Sequence, residues 1–335
     1  MENTYLNTLS FPGYADNLNK TYLDFLTTYK PEMDGFFITR NVGENAETTV
    51  RLDEQDMSQY ANDKPEGNDA TRLSFGTGYF KNIEAYRIGA QLNISYEMRV
   101  AKRFDLGMAI KRFNSSVVDR MELDRQHRLT FANASSYVNM NGRTVDVTCG
   151  DGLPMASAVH PLAFTTTTWS NIAPTATLTP TALDSMEELF VTDILDNYGL
   201  PVQMNATHLI VQRQSPATVR AAMEILRSST LVTQANPGVV NAYQAKYKLM
   251  ELTKVATDAM GRIDGTKAGW YMLASLEGAN RLQAFEYVWE SPTSNVTPMN
   301  GNNGVDAYND DYTFGRRARY AHGCVSARGI VFNFA

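Results

Sequence analysis

Between Tyr86 and Ile94 the chain alternates. Tyr86, Ile88, Ala90, Leu92 and Ile94 are apolar, and Arg87, Gly89, Gln91 and Asn93 stand between them. A period of two puts the first set on one face of a half-buried strand. This strand is expected to return a long hairpin over residues 36–94, with residues 48–52 going out. Between them, residues 53–70 read DEQDMSQYANDKPEGNDA, an acidic stretch punctuated by Gly and Pro and nearly free of large aliphatics. Such a stretch cannot bury itself in a core, and a loop of that length usually has a function. With residues 71–94 extended, the arm would reach on the order of 80 Å at ~3.3 Å per residue. A ribbon projecting that far needs a neighbour to lean on.

Over residues 96–132 the period becomes helical. Leu106, Ile110, Phe113, Val117 and Met121 form one apolar stripe, and Lys111, Arg112, Asp119, Arg120, Glu122 and Arg125 occupy the opposite face. A break is expected at residues 104–107, and the helix beyond it would be about 40 Å long at ~1.5 Å per residue. Residues 133–175 look irregular and strand-like. Thr179-Pro180 then forms a cap and first-turn proline for a helix over residues 181–198, which Gly199 would stop. Its apolar face is Leu183, Met186, Phe190 and Ile194. Ser215-Pro216 repeats the signal before a helix over residues 217–227. Strands are expected at residues 209–211, 247–252, 270–274 and 282–290, which makes 176–284 an α+β unit. Upstream, Tyr14, Leu18, Tyr22 and Leu23 suggest helical pieces in an arm over residues 1–35, broken at Lys30-Pro31. Downstream, residues 291–311 form a polar connector. Residues 312–334 return to alternation through Tyr312, Phe314, Ala318, Tyr320, His322 and Cys324. The apolar run Ile330-Val331-Phe332-Asn333-Phe334 should pair back into a sheet.

The 335 residues can bury a sizeable core as one large or two modest domains. No run approaches the roughly 20 apolar residues of a membrane span. The start, MENTYLNTLSFPGYADN, has no basic segment followed by an apolar one, so a cytoplasmic protein is expected. The net charge of −6 argues against a dedicated nucleic-acid binder. Charged residues make up 20% of the chain, and the abundant Asn, Thr, Ser and Tyr suit a surface of neutral polar contacts. Cys149 and Cys324 read as reduced core thiols.

The stretch Asp151–Asn171, DGLPMASAVHPLAFTTTTWSN, invites a catalytic reading: His160 as base, Asp151 as its orienter, Ser157 or Ser170 as nucleophile. It lacks the tight nucleophile turn G-x-S-x-G, and His160-Pro161 pushes the histidine toward extended backbone. The alternative is that the hydroxyls satisfy an irregular backbone. The four histidines, 127, 160, 208 and 322, show no metal spacing. Asp124 is the nearest candidate second ligand to His127, and a packing role suits that histidine better. The acids at residues 306–311 fail the calcium-loop pattern. Gly76-Thr77-Gly78 is too short for a nucleotide loop. Arg316-Arg317-Ala318-Arg319 is a small basic cluster in which Arg317 and Arg319 share one strand face.

The order of these features resembles the major capsid proteins of tailed double-stranded DNA bacteriophages, with the Hong Kong phage capsid fold. The residues that carry the likeness are Asp151-Gly152-Leu153-Pro154, Ser157, His160-Pro161 and Ser170-Asn171. Leu178-Thr179 with Leu183, Gly199-Leu200-Pro201 ahead of Thr207-His208-Leu209-Ile210-Val211, and Gly269-Trp270-Tyr271-Met272-Leu273 also fit. The resemblance implies an α+β fold: an N-terminal arm (1–35), an extended hairpin or E-loop (36–94), a peripheral domain with a spine helix (95–175 and 285–335) and an axial domain (176–284). It also implies a non-enzymatic shell protein, without cofactor, that forms hexamers and pentamers around phage DNA in a virion and assembles in the host cytoplasm. A separate scaffolding protein, a portal and decoration proteins would be its partners. Glu54, Asp56, Lys64, Arg72, Lys81, Arg317 and Arg319 are candidate intersubunit contacts. Lys64 and Lys81 lie on the arm, yet no partner acid for a covalent crosslink is evident. The rival readings are an encapsulin-type nanocompartment shell and a hydrolase using His160.

Overall fold

The computed structural model describes residues 29–335 apart from 44–45, 58–59, 62, 65, 68, 71, 96–105, 234–235, 279, 292–296 and 299–311. The expected N-terminal helical pieces, the break at 104–107 and the acids at 306–311 therefore fall wholly or largely outside the described residues. In chain order the elements begin with β1 (Ile38–Asn41), β2 (Thr49–Met57), β3 (Phe75–Glu84), β4 (Tyr86–Ile94), α1 (Leu106–Thr130), β5 (Ser136–Val138) and β6 (Thr144–Asp146). Then come β7 (His160–Pro161), β8 (Thr168–Trp169), α2 (Pro180–Thr192), β9 (His208–Gln212), α3 (Pro216–Arg227), β10 (Thr230–Thr233) and β11 (Asn236–Val240). The last are β12 (Lys248–Leu252), β13 (Tyr271–Ala274), β14 (Gln283–Glu290), β15 (Thr297–Pro298), β16 (Tyr312–Ser326) and β17 (Ile330–Asn333).

The alternation at Tyr86–Ile94 does give a strand, but it is not the return of the hairpin. β2 pairs antiparallel with β3, from Thr49 opposite Glu84 to Met57 opposite Phe75. β4 pairs instead with β16, from Tyr86 opposite Tyr320 to Ile94 opposite Tyr312. Ala85 is the change-over, so no single ribbon runs through residues 71–94 and the 80 Å reach does not apply. The reason is the partner of the apolar face. Tyr86, Ile88 and Ala90 of β4 pack with Val117 and Met121 of α1 and with Ala318 and Tyr320 of β16. A free-standing ribbon would leave that face in water.

β1, β4, β14, β15 and β16 form one sheet. β1 runs parallel to β14, and the other pairs are antiparallel. The helix α1 lies on this sheet with Phe113, Val117 and Met121 buried, as its stripe requires. The polar face is not a solvent face throughout. Glu122 is buried and Arg125 nearly so, because Arg125 bridges Glu122 and Glu286 of β14 at 3.1 and 2.8 Å.

The second sheet has the order β12-β9-β13-β17. β9 and β12 are parallel, and β13 is antiparallel to β9 and β17. The helices α2 and α3 cover it with Leu183, Met186, Phe190, Ala222, Ile225 and Leu226 buried. Thr179 caps α2 as expected, accepting from the Ala182 N–H at 3.2 Å. The helix stops at Thr192, short of 198. Asp196 accepts from the Tyr198 and Leu200 N–H groups at 2.9 and 2.7 Å, and this local turn competes with helix. Gly199, at φ +86°, belongs to that turn.

The apolar C-terminal run pairs back, but into this second sheet: β17 lies against β13. Residues 330–333 are thus hydrogen-bonded to a strand of 176–284, although the resemblance implied grouping them with 285–335. Their side chains are buried on both faces, which an edge of the first sheet could not offer. One hydrophobic cluster runs from Met33, Phe36 and Leu129 through Met155 and Trp169 to Leu209, Tyr271 and Phe332. The 149–178 segment is a structural part of it.

Candidate functional site

Residues 151–171 wind irregularly across this core, and their polar groups are occupied locally. His160 Nδ1 meets Asp151 Oδ2 at 2.6 Å, and its ring stacks on Trp169 with centroids 4.5 Å apart. Its Nε2 is buried without a hydrogen-bond partner among the described residues. Ser157 Oγ accepts from the Val159 N–H at 3.2 Å, and Ser170 Oγ accepts from the Ile172 N–H at 3.3 Å. Asn171 ties the two ends together, accepting from the Ser157 N–H at 3.0 Å and donating to Met155 O at 2.7 Å. The serines are turn-formers, and neither is placed against His160 as a nucleophile.

The more informative constellation is beside it, where the β2–β3 hairpin meets the body. Residues 53–57 are strand rather than loop, and a bulge between Asp53 and Gln55 turns Glu54 inward. Arg328, in the turn between β16 and β17, donates from Nη1 to Glu54 Oε1 at 2.5 Å and to Asp56 Oδ2 at 3.2 Å. Its Nη2 donates to Asn197 Oδ1 at 3.2 Å. Asn197 Nδ2 donates to Glu54 and Asp56 at 2.8 Å each, and its own N–H reaches Asp56 at 3.0 Å. Asn197 Oδ1 also accepts from the Ala163 N–H at 3.1 Å. Four parts of the chain therefore converge: the hairpin, the turn after α2, the β16–β17 turn and the 151–171 segment. Buried charges that are paired in this way fix a geometry, whatever their net worth in stability; of the Arg328 nitrogens only Nε is buried without a partner among the described residues.

Gly76 and Gly78 of β3 let the surfaces close. A Cβ at Gly76 would collide with the Tyr198 hydroxyl and stand 2.7 Å from the Phe164 ring. At Gly78 it would collide with the Asn197 amide. The Gly-Thr-Gly run is a packing device and not a phosphate loop. Nearer the hairpin root, Leu52 and Ile83 pack with Phe285, Tyr287, Trp289, Ala321 and Val325. Lys81 donates to Asp146 at 2.5 Å and to Thr148 at 2.7 Å.

Of the contact candidates, Glu54, Asp56 and Lys81 are thus engaged within the chain, and Lys64 and Arg72 are exposed on the distal part of the hairpin. Arg317 is exposed and paired with Glu290, while Arg319 lies 5.9 Å over the Trp289 ring. The two residues that organise the junction, Arg328 and Asn197, carried no sequence signal beyond their neighbouring turn glycines, Gly329 and Gly199.

A second buried polar cluster sits under α1. Burial alone would raise the Glu286 carboxyl, but the His322 ring at 3.0 Å and Arg125 outweigh it and hold it at about 2. Burial lowers His322. His127 packs edge-on to Phe131 and Tyr137 and meets Thr257 Oγ1 at 3.3 Å; burial brings it down to about 4. Asp124, the supposed co-ligand, instead accepts from Tyr86, Tyr320 and Arg120 at 3.1, 2.6 and 3.2 Å. Burial also lowers His208, whose Nδ1 meets Thr207 Oγ1 at 2.9 Å. Among the described residues, no three His, Cys, Asp or Glu side chains cluster as a metal site, and no helix is long and apolar enough to cross a membrane.

The family model described as phage capsid protein matches residues 81–333. The chain belongs to the phage capsid protein family. Solved phage structures share the fold. A chain from "Capsid structure of the Cyanophage P-SCSP1u" aligns with a TM-score of 0.54 at 7% identity, over 89% of this chain and 86% of that one. One from Gordonia phage Cozz gives 0.52 at 10% identity, over 91% and 86%. One from "Asymmetric unit of bacteriophage PhiM1 mature capsid" gives 0.51 at 10% identity, over 91% and 87%. No curated protein matches the sequence. As a phage capsid protein the chain is a structural component of a virion, with an α+β capsid fold. Family and fold point to a structural rather than a catalytic role.

Proposed function

We propose that this chain is the repeating subunit of a closed phage head: hexamers and pentamers that enclose the double-stranded DNA genome in an icosahedral or prolate shell. The observation that carries the reading is the family match over residues 81–333, joined to fold likeness along nine tenths of the chain. In this reading the first sheet and α1 form the peripheral domain and its spine. The second sheet with α2 and α3 forms the axial domain at ring centres, and β2–β3 is the extended arm. Ring contacts of this kind are heterologous: one patch meets a different patch on the next copy, and the rotation closes. Lys64, Arg72 and Arg319 are the candidates for such contacts, with Arg317 already sharing Glu290. Glu54, Asp56 and Lys81 aim the arm from within its own subunit. The DNA touches the shell non-specifically, and a scaffolding protein, a portal and decoration proteins are the proposed partners. Assembly takes place in the host cytoplasm.

Sedimentation velocity with negative-stain imaging tests this, on the full chain expressed alone and with the proteins made alongside it. Rings or closed particles are expected. A chain that stays a monomer under every one of those conditions overturns the reading.

A further inference from the structure

The proposed shell function assigns no part to the two cysteines. Cys149 follows β6, and Cys324 lies on β16. Both are free thiols buried in the main hydrophobic cluster. The backbone brings their stretches side by side, with the Gly150 N–H donating to Val325 O at 2.8 Å. That approach requires a glycine, because a Cβ at residue 150 would itself stand 2.8 Å from Val325 O. One residue back on each stretch, the Cys149 and Cys324 thiols meet through a hydrogen bond. The Cys324 Sγ–H also reaches Ser326 O at 3.2 Å.

We propose that Cys149 and Cys324 are a latent intrachain disulfide, closed by a peroxide-class oxidant once the protein leaves a reducing environment. A virion spends its free life outside cells, where disulfides persist. Hydrogen peroxide is small and uncharged, so brief local opening admits it. One thiolate attacks a peroxide oxygen: an S–O bond forms, the O–O bond breaks and hydroxide leaves, giving a sulfenic acid. The second thiol is already in contact. It attacks the sulfenic sulfur, the S–S bond forms, the S–O bond breaks, and the hydroxyl leaves as water with the thiol proton. The two sulfurs lose two electrons, and the peroxide ends as two waters. The Cys324 contact and burial both push the Cys149 thiol up, so the thiolate is scarce and closure is slow and faster at higher pH. The bond would tie the entry of the 151–171 segment to β16 and remove freedom from the unfolded chain. It forms or fails whether or not the chain builds a shell.

The test is intact-mass analysis of the full chain after hydrogen peroxide, with denaturation in an alkylating agent. The expected protein has lost the mass of two hydrogens and takes up no alkyl group until a reductant is added. Its melting temperature should rise by about 5 °C. In Cys149→Ser and in Cys324→Ser, the remaining thiol should gain oxygen and the melting temperature should not rise. Two thiols that still alkylate after oxidation, oxygen adducts on both cysteines, or interchain dimers in place of the intrachain bond would each overturn the proposal.

Discussion

Arg328 is the residue on which most of the hairpin junction depends. It holds Glu54, Asp56 and Asn197 at once, and it is buried with Glu54 and Asn197, Asp56 being half-buried. Arg328→Met would leave the Glu54 carboxylate buried against an apolar chain, at a cost of roughly 3–5 kcal/mol. Glu54→Gln in the same molecule should recover part of that loss, because the stranded charge is then gone. Chemical-denaturation midpoints of the two single variants and the double variant check both statements. His127 makes a separate pH prediction. It is held at about 4 in the fold, against an ordinary value near 6.5, with Asp124, Arg120, Lys267 and Asp258 as the charged groups around it. The unfolded chain therefore binds its proton first on acidification. Stability should rise with pH between about 4 and 6.5 and be fully present above 6.5, by up to about 3 kcal/mol. His127→Gln should flatten that part of the stability–pH curve; an unchanged slope would place the titration elsewhere. Little of this was legible beforehand. The stripe of α1 showed in the sequence because it repeats. The pairing of Arg125 with Glu286 depends on a strand far away in the chain, and no local pattern encodes it.

At the scale of elements, the hairpin is defined by how it is rooted. Gly323 on β16 leaves a hollow that the Ile83 side chain of β3 fills; a Cβ there would stand 2.6 Å from Ile83 Cγ1. Gly323→Ala should overpack this root and lower stability by about 1–3 kcal/mol. Adding Ile83→Ala should return part of the loss, which thermal unfolding of the pair can measure. Alternation, the apolar stripe of α1 and the two cap-and-proline signals located the longer strands of both main sheets and the three described α-helices, but not β1, β10, β11 or β15. What they missed was partnership and termination. Alternation told that Tyr86–Ile94 has one apolar face, but not that α1 and β16 would cover it. The cap at Thr179 marked where α2 begins, while its end was set by the Asp196 turn that delivers Asn197 to the hairpin.

The molecule as a whole has two larger sheets around one main hydrophobic cluster, with smaller clusters under α1 and at the hairpin root; the hairpin is held firmly at that root and has an exposed, polar distal part. The strand residues 53–57 belong to the root, so the part free to serve another subunit is narrower than residues 53–70 suggested. Removing residues 58–74 and joining β2 to β3 with a short turn should leave a subunit that unfolds cooperatively at nearly the same temperature. It should assemble poorly. The fold class and the capsid family were legible from the order of weak motifs along the chain, since that order reflects the topology. The hairpin junction was not, because it is assembled from residues widely separated in sequence. The measurement that bears most directly on the central claim is a cryo-electron microscopy reconstruction of the assembled particle. The account predicts a closed shell of fivefold and sixfold rings, in which Glu54, Asp56, Asn197 and Arg328 meet within each subunit and residues 58–74 rest on a neighbouring one. Particles without such rings, or a hairpin whose distal part touches only its own subunit, would contradict it.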